Sequence, residues 1–518
     1  MPAKSVGLAI TGGLVAVGAV FGGVILYTSS RASEVNLTTA SLVPEDAGVY
    51  FALNTDLTSS QWVNTFNLAE RLGQDDPEEE LKDGAEEGGL DWEDDITPFL
   101  GGDAAIFVQG IDVSDINAQG AAIFRCDDAE AALDVIAHQF SLEDEEEYGD
   151  IEYFPFEMGF VAVIGDHLVI SFDEDSLEDV IDVHNGKKES LASREDFQQL
   201  RDELTGNFLG FVYLSTENLL GDFYLNDPEI REAIEASGNG DLVFQPAAWV
   251  IGAKEDGFEF QAASLGEGGT VASMLAPRES RLVGMVPAEA SIFVSTTDIA
   301  QTYKAIVDAA REEIDAAIAQ QGEYNSLDEA LRDCGSELGL ASCAEVVALF
   351  DGETAFAAWF PDGTEESVQG LMLAEVDEAK AKPILEKIVA SDGFSDVRKE
   401  QVGGHDIVLF NDEESTDEGA YAFLDGVLLL GTVDAVKLVL TNDEPPLSEL
   451  DRYKDTVEQM PSALGTYAYL DMSRILRLAE GGIPADLDEA EEALSGLIIN
   501  AVDEHDVVRL NGILTIEE

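Results

Sequence analysis

The residues best suited to metal or nucleophilic chemistry are five histidines and three cysteines, and their spacing builds no familiar site. His138, His167, His184, His405 and His505 are scattered along the chain. No HExxH or other local pair places two imidazoles on one helical face, as a zinc hydrolase needs. No GxSxG presents a serine on a strand-to-helix elbow, and no GxxxxGK[ST] forms a phosphate cradle. No GxGxxG opens a helix after a strand, so the dinucleotide fingerprint is missing too. The 106 carboxylates make a glycosidase-like pair easy to nominate, but the separation of such a pair is set by the fold and not by the sequence. The sequence therefore names no catalytic residue, no cofactor-binding residue and no metal ligand. A dispersed active site is the weakest of the functional readings it allows.

The cysteines are Cys126, Cys334 and Cys343. Outside the cytoplasm, Cys334 and Cys343 are spaced for a local disulfide, although geometry decides whether the sulfurs meet. Cys126 is then left over and reads as a small buried hydrophobe. His167 and His505 fall in predicted hairpin turns and read as exposed turn residues. Trp249 and Trp359 lie in apolar strands and read as core. Trp62 and Trp92 flank the longest acidic stretch, where an exposed contact role competes with ordinary packing. Arg201, Arg231 and Arg311 sit on predicted helices beside acids and read as local ion pairs.

The elements that position these residues belong to a very acidic chain. The 518 residues carry 27 Lys plus Arg against 106 Asp plus Glu, a net charge of −79. Such a surface repels a phosphate backbone, so nucleic acid is not an expected partner, and anionic headgroups are disfavoured likewise. The acids run along the whole chain after Arg31, which favours a global, halophile-like hydrated surface over one cation site. The densest stretch, Gln74 to Asp95, holds 12 acids in 22 residues. Like Leu142 to Glu152 and Asn411 to Gly419, it lacks the DxDxDG spacing of a calcium loop. These three stretches read as solvated loops.

Val6 to Tyr27 holds no charged residue. As a helix its length of roughly 33 Å, at about 1.5 Å per residue, matches the hydrocarbon core of a bilayer. It is long for a cleaved signal, and Lys4 precedes it, so it reads as a single-pass signal anchor with the rest of the chain extracytoplasmic. Gly18 and Gly22 form a GxxxG within it, a possible contact between two such helices.

The rest follows one plan twice. Val43 to Asp56 resembles Val286 to Asp298, and Phe99 to Phe107 resembles Leu349 to Ala357. Phe160 to Asp182 matches Tyr421 to Thr441, each a hairpin turning at Gly165-Asp166 or Asp425-Gly426 and then a helix. Leu209 to Leu214 matches Leu464 to Leu470, and Ala248 to Leu265 matches Ile498 to Leu514. Five matches in one order predict two homologous lobes. The expected organisation is an anchor over 1–30, a stalk over 31–42, a first lobe over 43–266, a linker over 267–285 and a second lobe over 286–518. Short apolar strands joined by Asp-Gly turns imply antiparallel pairing. Amphipathic helices are predicted over Ala129 to Phe140 and Lys380 to Val389. The fold class is α+β, each lobe a curved antiparallel sheet with helices on one face.

Three features resemble a family of bacterial membrane-anchored proteins known as domain of unknown function 3352. One is the anchor followed by Leu42-Val-Pro-Glu-Asp-Ala47, with Tyr50 and the Asn54-Thr-Asp56 strand end. Another is Gln61-Trp62 with Leu72-Gly73. The third is Ser190 to Phe197 ahead of the Gly210 to Leu214 strand. The resemblance implies location and architecture and transfers no functional residue. The expectation for function is a membrane-anchored, non-enzymatic interaction or scaffold module with protein partners. The alternative is a carrier or chaperone for an apolar ligand such as a lipid.

Overall fold

The computed structural model describes residues 37–112, 117–219, 245–266, 271–322, 324–364, 367–391, 393–412, 418–461, 463–478, 493–504 and 507–517. Val6 to Tyr27, with Gly18 and Gly22, lies outside the described residues, as do Arg231 and His505. Among the described residues no helix is long and apolar enough to cross a membrane. The fold is mixed, with helices on large sheets whose described strand registers are antiparallel. The chain divides into two compact units. Of the described residues, those from 37 to 219, 245–265 and 516–517 belong to the first, and those from 266 to 515 to the second.

In the first unit the strands are β1 (Val49–Asn54), β2 (Asp103–Asp112), β3 (Asn117–Arg125), β4 (Glu146–Tyr148), β5 (Ile151–Phe156), β6 (Gly159–Ile164), β7 (His167–Ser171), β8 (Gly210–Leu214), β9 (Ala247–Lys254) and β10 (Gly257–Leu265). Their order across the sheet is β4-β5-β6-β7-β3-β2-β1-β8-β9-β10. The two-residue turn Gly165-Asp166 joins β6 to β7 in register Ile164 to His167. Gly165 there has φ +65°, a conformation glycine adopts without strain.

Among the described residues the helices of this unit are α1 (Ser60–Arg71), α2 (Pro77–Glu87), α3 (Ala129–Gln139), α4 (Glu174–His184) and α5 (Glu195–Glu203). They do not share one face, which corrects the expectation. Phe197 of α5 packs edge-on against Phe211 and Tyr213. Ser176 and Asp179 of α4 bond Gln109 on the same side. Ala132 and Ile136 of α3 instead join Ala122, Phe124, Val161 and Leu168, which alternate to the opposite side. The strands explain this. Ala121-Ala-Ile-Phe is apolar at every position, so both faces need cover.

The second unit has β11 (Ile292–Thr296), β12 (Thr354–Trp359), β13 (Gln369–Glu375), β14 (Phe394–Val402), β15 (His405–Asp412), β16 (Glu418–Leu424), β17 (Val427–Thr432), β18 (Thr466–Asp471), β19 (Leu494–Glu504) and β20 (Val507–Ile516). Their order is β14-β15-β16-β17-β13-β12-β11-β18-β19-β20, position for position the order of the first sheet. Its helices are α6 (Ile299–Ala309), α7 (Arg311–Gln321), α8 (Leu327–Glu337), α9 (Glu378–Ile388), α10 (Val433–Thr441), α11 (Asp451–Glu458) and α12 (Met472–Leu478). One core joins α10 and α11 to Phe293, Leu373, Tyr467 and Ile498. A second core joins Leu385 of α9 to Val408, Tyr421 and Leu428 on the other face.

Three further expectations need correction. The acidic stretch Gln74 to Asp95 is not all loop, because α2 occupies its centre. Asp76 caps that helix by accepting from Glu79 N, Pro77 starts it, and Glu78, Glu79 and Glu80 line the positive end of its dipole. The stalk expected over 31–42 is not free chain at its end, since Thr39, Ala40 and Leu42 are buried in the first unit. The linker expected over 267–285 ends inside the second unit, where Leu282 and Val283 join the core.

Candidate functional site

Each unit buries a carboxylate where its second strand begins, Asp103 in β2 and Glu353 immediately before β12. Asp103 is 2% exposed. Its Oδ2 accepts from Thr39 N at 2.9 Å and Thr39 Oγ1 at 2.7 Å, and its Oδ1 accepts from the Thr38 hydroxyl. Tyr50 OH lies 2.8 Å from Thr39 Oγ1. The single Thr39 hydroxyl proton goes to the carboxylate, so Tyr50 is the donor in that pair. Burial, with the Asp103 charge beside it, raises the Tyr50 pKa well above its ordinary value, so the phenol keeps its proton.

In the second unit Glu353 is 5% exposed. Its Oε2 accepts from Arg281 N at 2.8 Å and Leu282 N at 3.2 Å, and its Oε1 accepts from the hydroxyls of Ser280 and Ser295. Each carboxylate thus holds the 3-10 turn that leads into its unit, Thr39–Ser41 or Leu282–Gly284. A third buried acid, Asp471, lies between Arg452 and Arg474 and also accepts from Ser473 Oγ at 2.9 Å. These carboxylates are occupied as acceptors of structural hydrogen bonds.

The structure brings two of the sequence-derived residues together: Cys334 at the end of α8 and Cys343 are joined as a disulfide, Cα to Cα 5.8 Å. Cys126 is buried and free, and burial pushes its thiol up to about 11. His167 is not an exposed turn residue. It begins β7, is 8% exposed, and its Nδ1 lies 2.9 Å from Asp166 Oδ1. Its place in the sheet, opposite Arg125 on β3, turns the side chain inward. Burial lowers its pKa, against the pull of Asp166 and Asp103. His138 and His184 are exposed on α3 and α4, and His405 begins β15. Among the described residues no group of three His, Cys, Asp or Glu is placed to hold a metal ion.

Trp62 is fully buried and donates Nε1–H to Asn54 O at 2.8 Å, so it is a packing residue. Trp92 is half-buried, Trp359 is 2% exposed, and Trp249 is only half-buried, less enclosed than expected. Arg201 pairs with Asp202 and Arg311 with Asp328, both at the surface. Two shallow concavities adjoin α9. One, of about 290 Å³, has Asp351, Glu375, Asp377 and Lys380 in its wall, and the other is lined by Glu378, Lys382, Pro383 and Glu386.

The sheet faces offer a different kind of surface. In the second unit, register places Met372, Phe356, Val294, Ala468 and Ile499 in one row across β13-β12-β11-β18-β19. Phe356 is 49% exposed and Ile499 is 41% exposed. In the first unit the corresponding row is Ile106, Phe51, Val212 and Trp249, with Ile251, 44% exposed, beside it. Phe356, Ile499 and Ile251, exposed apolar side chains on rows of half-buried apolar neighbours, suit contact with another apolar surface better than bond-making chemistry. The sequence carried a signal for the carboxylates that its reading passed over. Gly102-Asp103 and Gly352-Glu353 each put an acid immediately before an apolar strand in a matched segment.

No curated protein matches the sequence. Among solved structures, crystal form I of TP0453 matches at 10% identity and TM-score 0.23, covering 45% of this chain and 79% of that one. Crystal form IV matches at 10% identity and TM-score 0.24, with coverage of 45% and 81%. Likeness at that level carries no argument. The family model described as "Protein of unknown function (DUF3352)" matches residues 8–495, nearly the whole length, and the chain belongs to that family.

Proposed function

We propose that the chain is a membrane-anchored, extracytoplasmic interaction module that acts by contact and not by catalysis. The observation that carries this reading is a pair of half-buried apolar rows in sheets of the same strand order, from which Phe356, Ile499 and Ile251 stand exposed. The matched order also supports the reading of the units as two copies of one lobe. The charge of −79 supports a surface adapted to concentrated salt, where hydration by carboxylates keeps a protein with exposed apolar side chains from self-association. The uncharged run Val6 to Tyr27 supports anchoring, and Lys4 ahead of it supports an outward-facing body.

Photo-crosslinking tests the reading. A photoreactive residue replaces Phe356 or Ile499 in the full chain in cells, and a control replaces the exposed Glu312. Adducts to one protein species from both sheet positions and none from Glu312 support a contact module. Equal adducts from all three positions sink it. Adducts to lipid from the sheet positions transfer the reading to a carrier of apolar ligands.

A further inference from the structure

We infer that Leu37 to Ala47 is a strap that fixes which end of the first sheet faces the membrane. The inference rests on the anchor reading above, and its structural half stands on the described residues. Within eleven residues the strap is tied at several points. The Thr38 hydroxyl and both donors of Thr39 end on Asp103, and Tyr50 OH donates to Thr39. Ala40, Leu42, Val43 and Ala47 are buried. Further along, Val43 O accepts from Leu191 N at 2.8 Å, Pro44 bridges Ser190, and Glu45 N donates to Glu189 O at 3.1 Å. A segment that buries four apolar side chains and satisfies a buried carboxylate is part of the fold, not a flexible lead.

The place of the ties sets the direction. Asp103 pairs with Asn54 at the C-terminal end of β1. The turn Gly165-Asp166 and the turn between Lys254 and Gly257 lie at that same end of the sheet. The turn between Phe156 and Gly159 lies at the opposite end of β6. Chain preceding Leu37 therefore arrives at the Asp103 end. Nine residues lie between Tyr27 and Leu37, and the ten residue steps reach about 34 Å when fully extended and roughly 17 Å as flexible coil. So short a lead keeps the Asp103 end toward the bilayer and the Glu157 turn away from it. The first unit then presents the side edges and faces of its sheet, including the row through Phe51, upright beside the membrane.

The test uses the full chain in nanodiscs of neutral lipid in molar salt. Single cysteines at the exposed positions Glu255 and Glu157 carry a donor dye, and the lipids carry an acceptor. Cys126 is buried and does not compete for label. Transfer should be clearly stronger from Glu255 than from Glu157. Hydrogen exchange read in the same sample should find the amides of Thr39 to Leu42 protected like those of β1. The variant Thr39→Val keeps the backbone donor and removes the hydroxyl. It should lose about tenfold of that protection while the β1 amides keep theirs. Equal transfer from both sites, or stronger transfer from Glu157, overturns the orientation. Free exchange of Thr39 to Leu42 in the unmodified chain overturns the strap. A chain that does not enter nanodiscs overturns the anchor reading and the orientation with it, and the exchange data then judge the strap alone.

Discussion

Asp103 and Glu353 make the same contact at the same point of their two units. Each is a buried carboxylate at the start of the second strand, and each takes backbone N–H donors from the 3-10 turn ahead of the first strand. The local chemistry differs, because Asp103 relies on two threonine hydroxyls and Glu353 on two serine hydroxyls. Replacing either acid by its amide keeps one acceptor and turns an N–H toward donors that need an acceptor. We expect Asp103→Asn and Glu353→Gln each to cost about 2–3 kcal/mol, read as the shift of a denaturation midpoint in molar salt. A shift under about 0.5 kcal/mol for both would mean that the turns are held by apolar burial alone.

His167 gives the first unit an acid-sensitive point. Burial lowers its pKa, with Asp166 and Asp103 opposing the shift and Arg125 adding to it. A histidine whose folded pKa lies below its unfolded value binds fewer protons when folded. Its contribution is therefore present above the unfolded value of about 6.5 and is lost as pH falls through the folded value. We expect the stability of the chain to fall over that window. His167→Gln should flatten the part of the slope due to this residue. An unchanged pH profile in that variant would remove His167 from the account.

The sequence reading of His167 went astray for an instructive reason. The Gly165-Asp166 turn was legible from its residue types, and its two-residue length is what the structure has. Exposure was not legible, because the first residue after the turn already alternates inward opposite Arg125. The helices of α3 and α9 were legible from their apolar spacing. Their faces were not, because strands apolar at every position do not say which side a helix takes. The capped helix α2 had a readable start at Asp76-Pro77, but twelve acids outweighed it in a reading based on charge. The buried carboxylates needed the fold, since one acid among 106 stands out only once its surroundings are known.

The three thiols should separate cleanly. Burial raises the Cys126 thiol to about 11, so thiolate is scarce at neutral pH and the sulfur is also sterically shielded. A thiol reagent should find no reactive group in the native chain, one in denaturant and three after reduction in denaturant. One reactive thiol in the native protein would contradict the burial of Cys126.

The disulfide closes a short loop, with a sequence separation of 9, so its chain-entropy contribution is about 2.5 kcal/mol. That contribution is local. Of the residues of α8, Gly335 is the buried one, so the helix leans little on the core. Cys334→Ser with Cys343→Ser should open the segment from α8 to Cys343 to limited proteolysis. The denaturation midpoint reported by the core around Tyr453 and Tyr467 should hardly move. Equal loss at both would make the disulfide a support of the whole unit.

Salt decides whether the acidic surface is an adaptation. Like charges crowd α4, where burial and the neighbouring Glu174, Asp175, Asp182 and Asp179 raise the Glu178 pKa. The excess of 106 acids over 27 bases spreads such repulsion over the chain. Molar salt shortens the screening length to about 3 Å, which removes most repulsion between surface groups. Salts that strengthen apolar burial add to the effect. We expect the melting temperature to rise by on the order of 10 °C from low salt to molar potassium chloride. A sulfate salt at equal ionic strength should raise it further, because screening is then matched and only the apolar term differs. A flat response to potassium chloride would mean that the carboxylates are held far enough apart, or protonated enough, to cost the fold little. The halophile reading would then fall, while the strap, the carboxylate contacts and the apolar rows would stand unchanged.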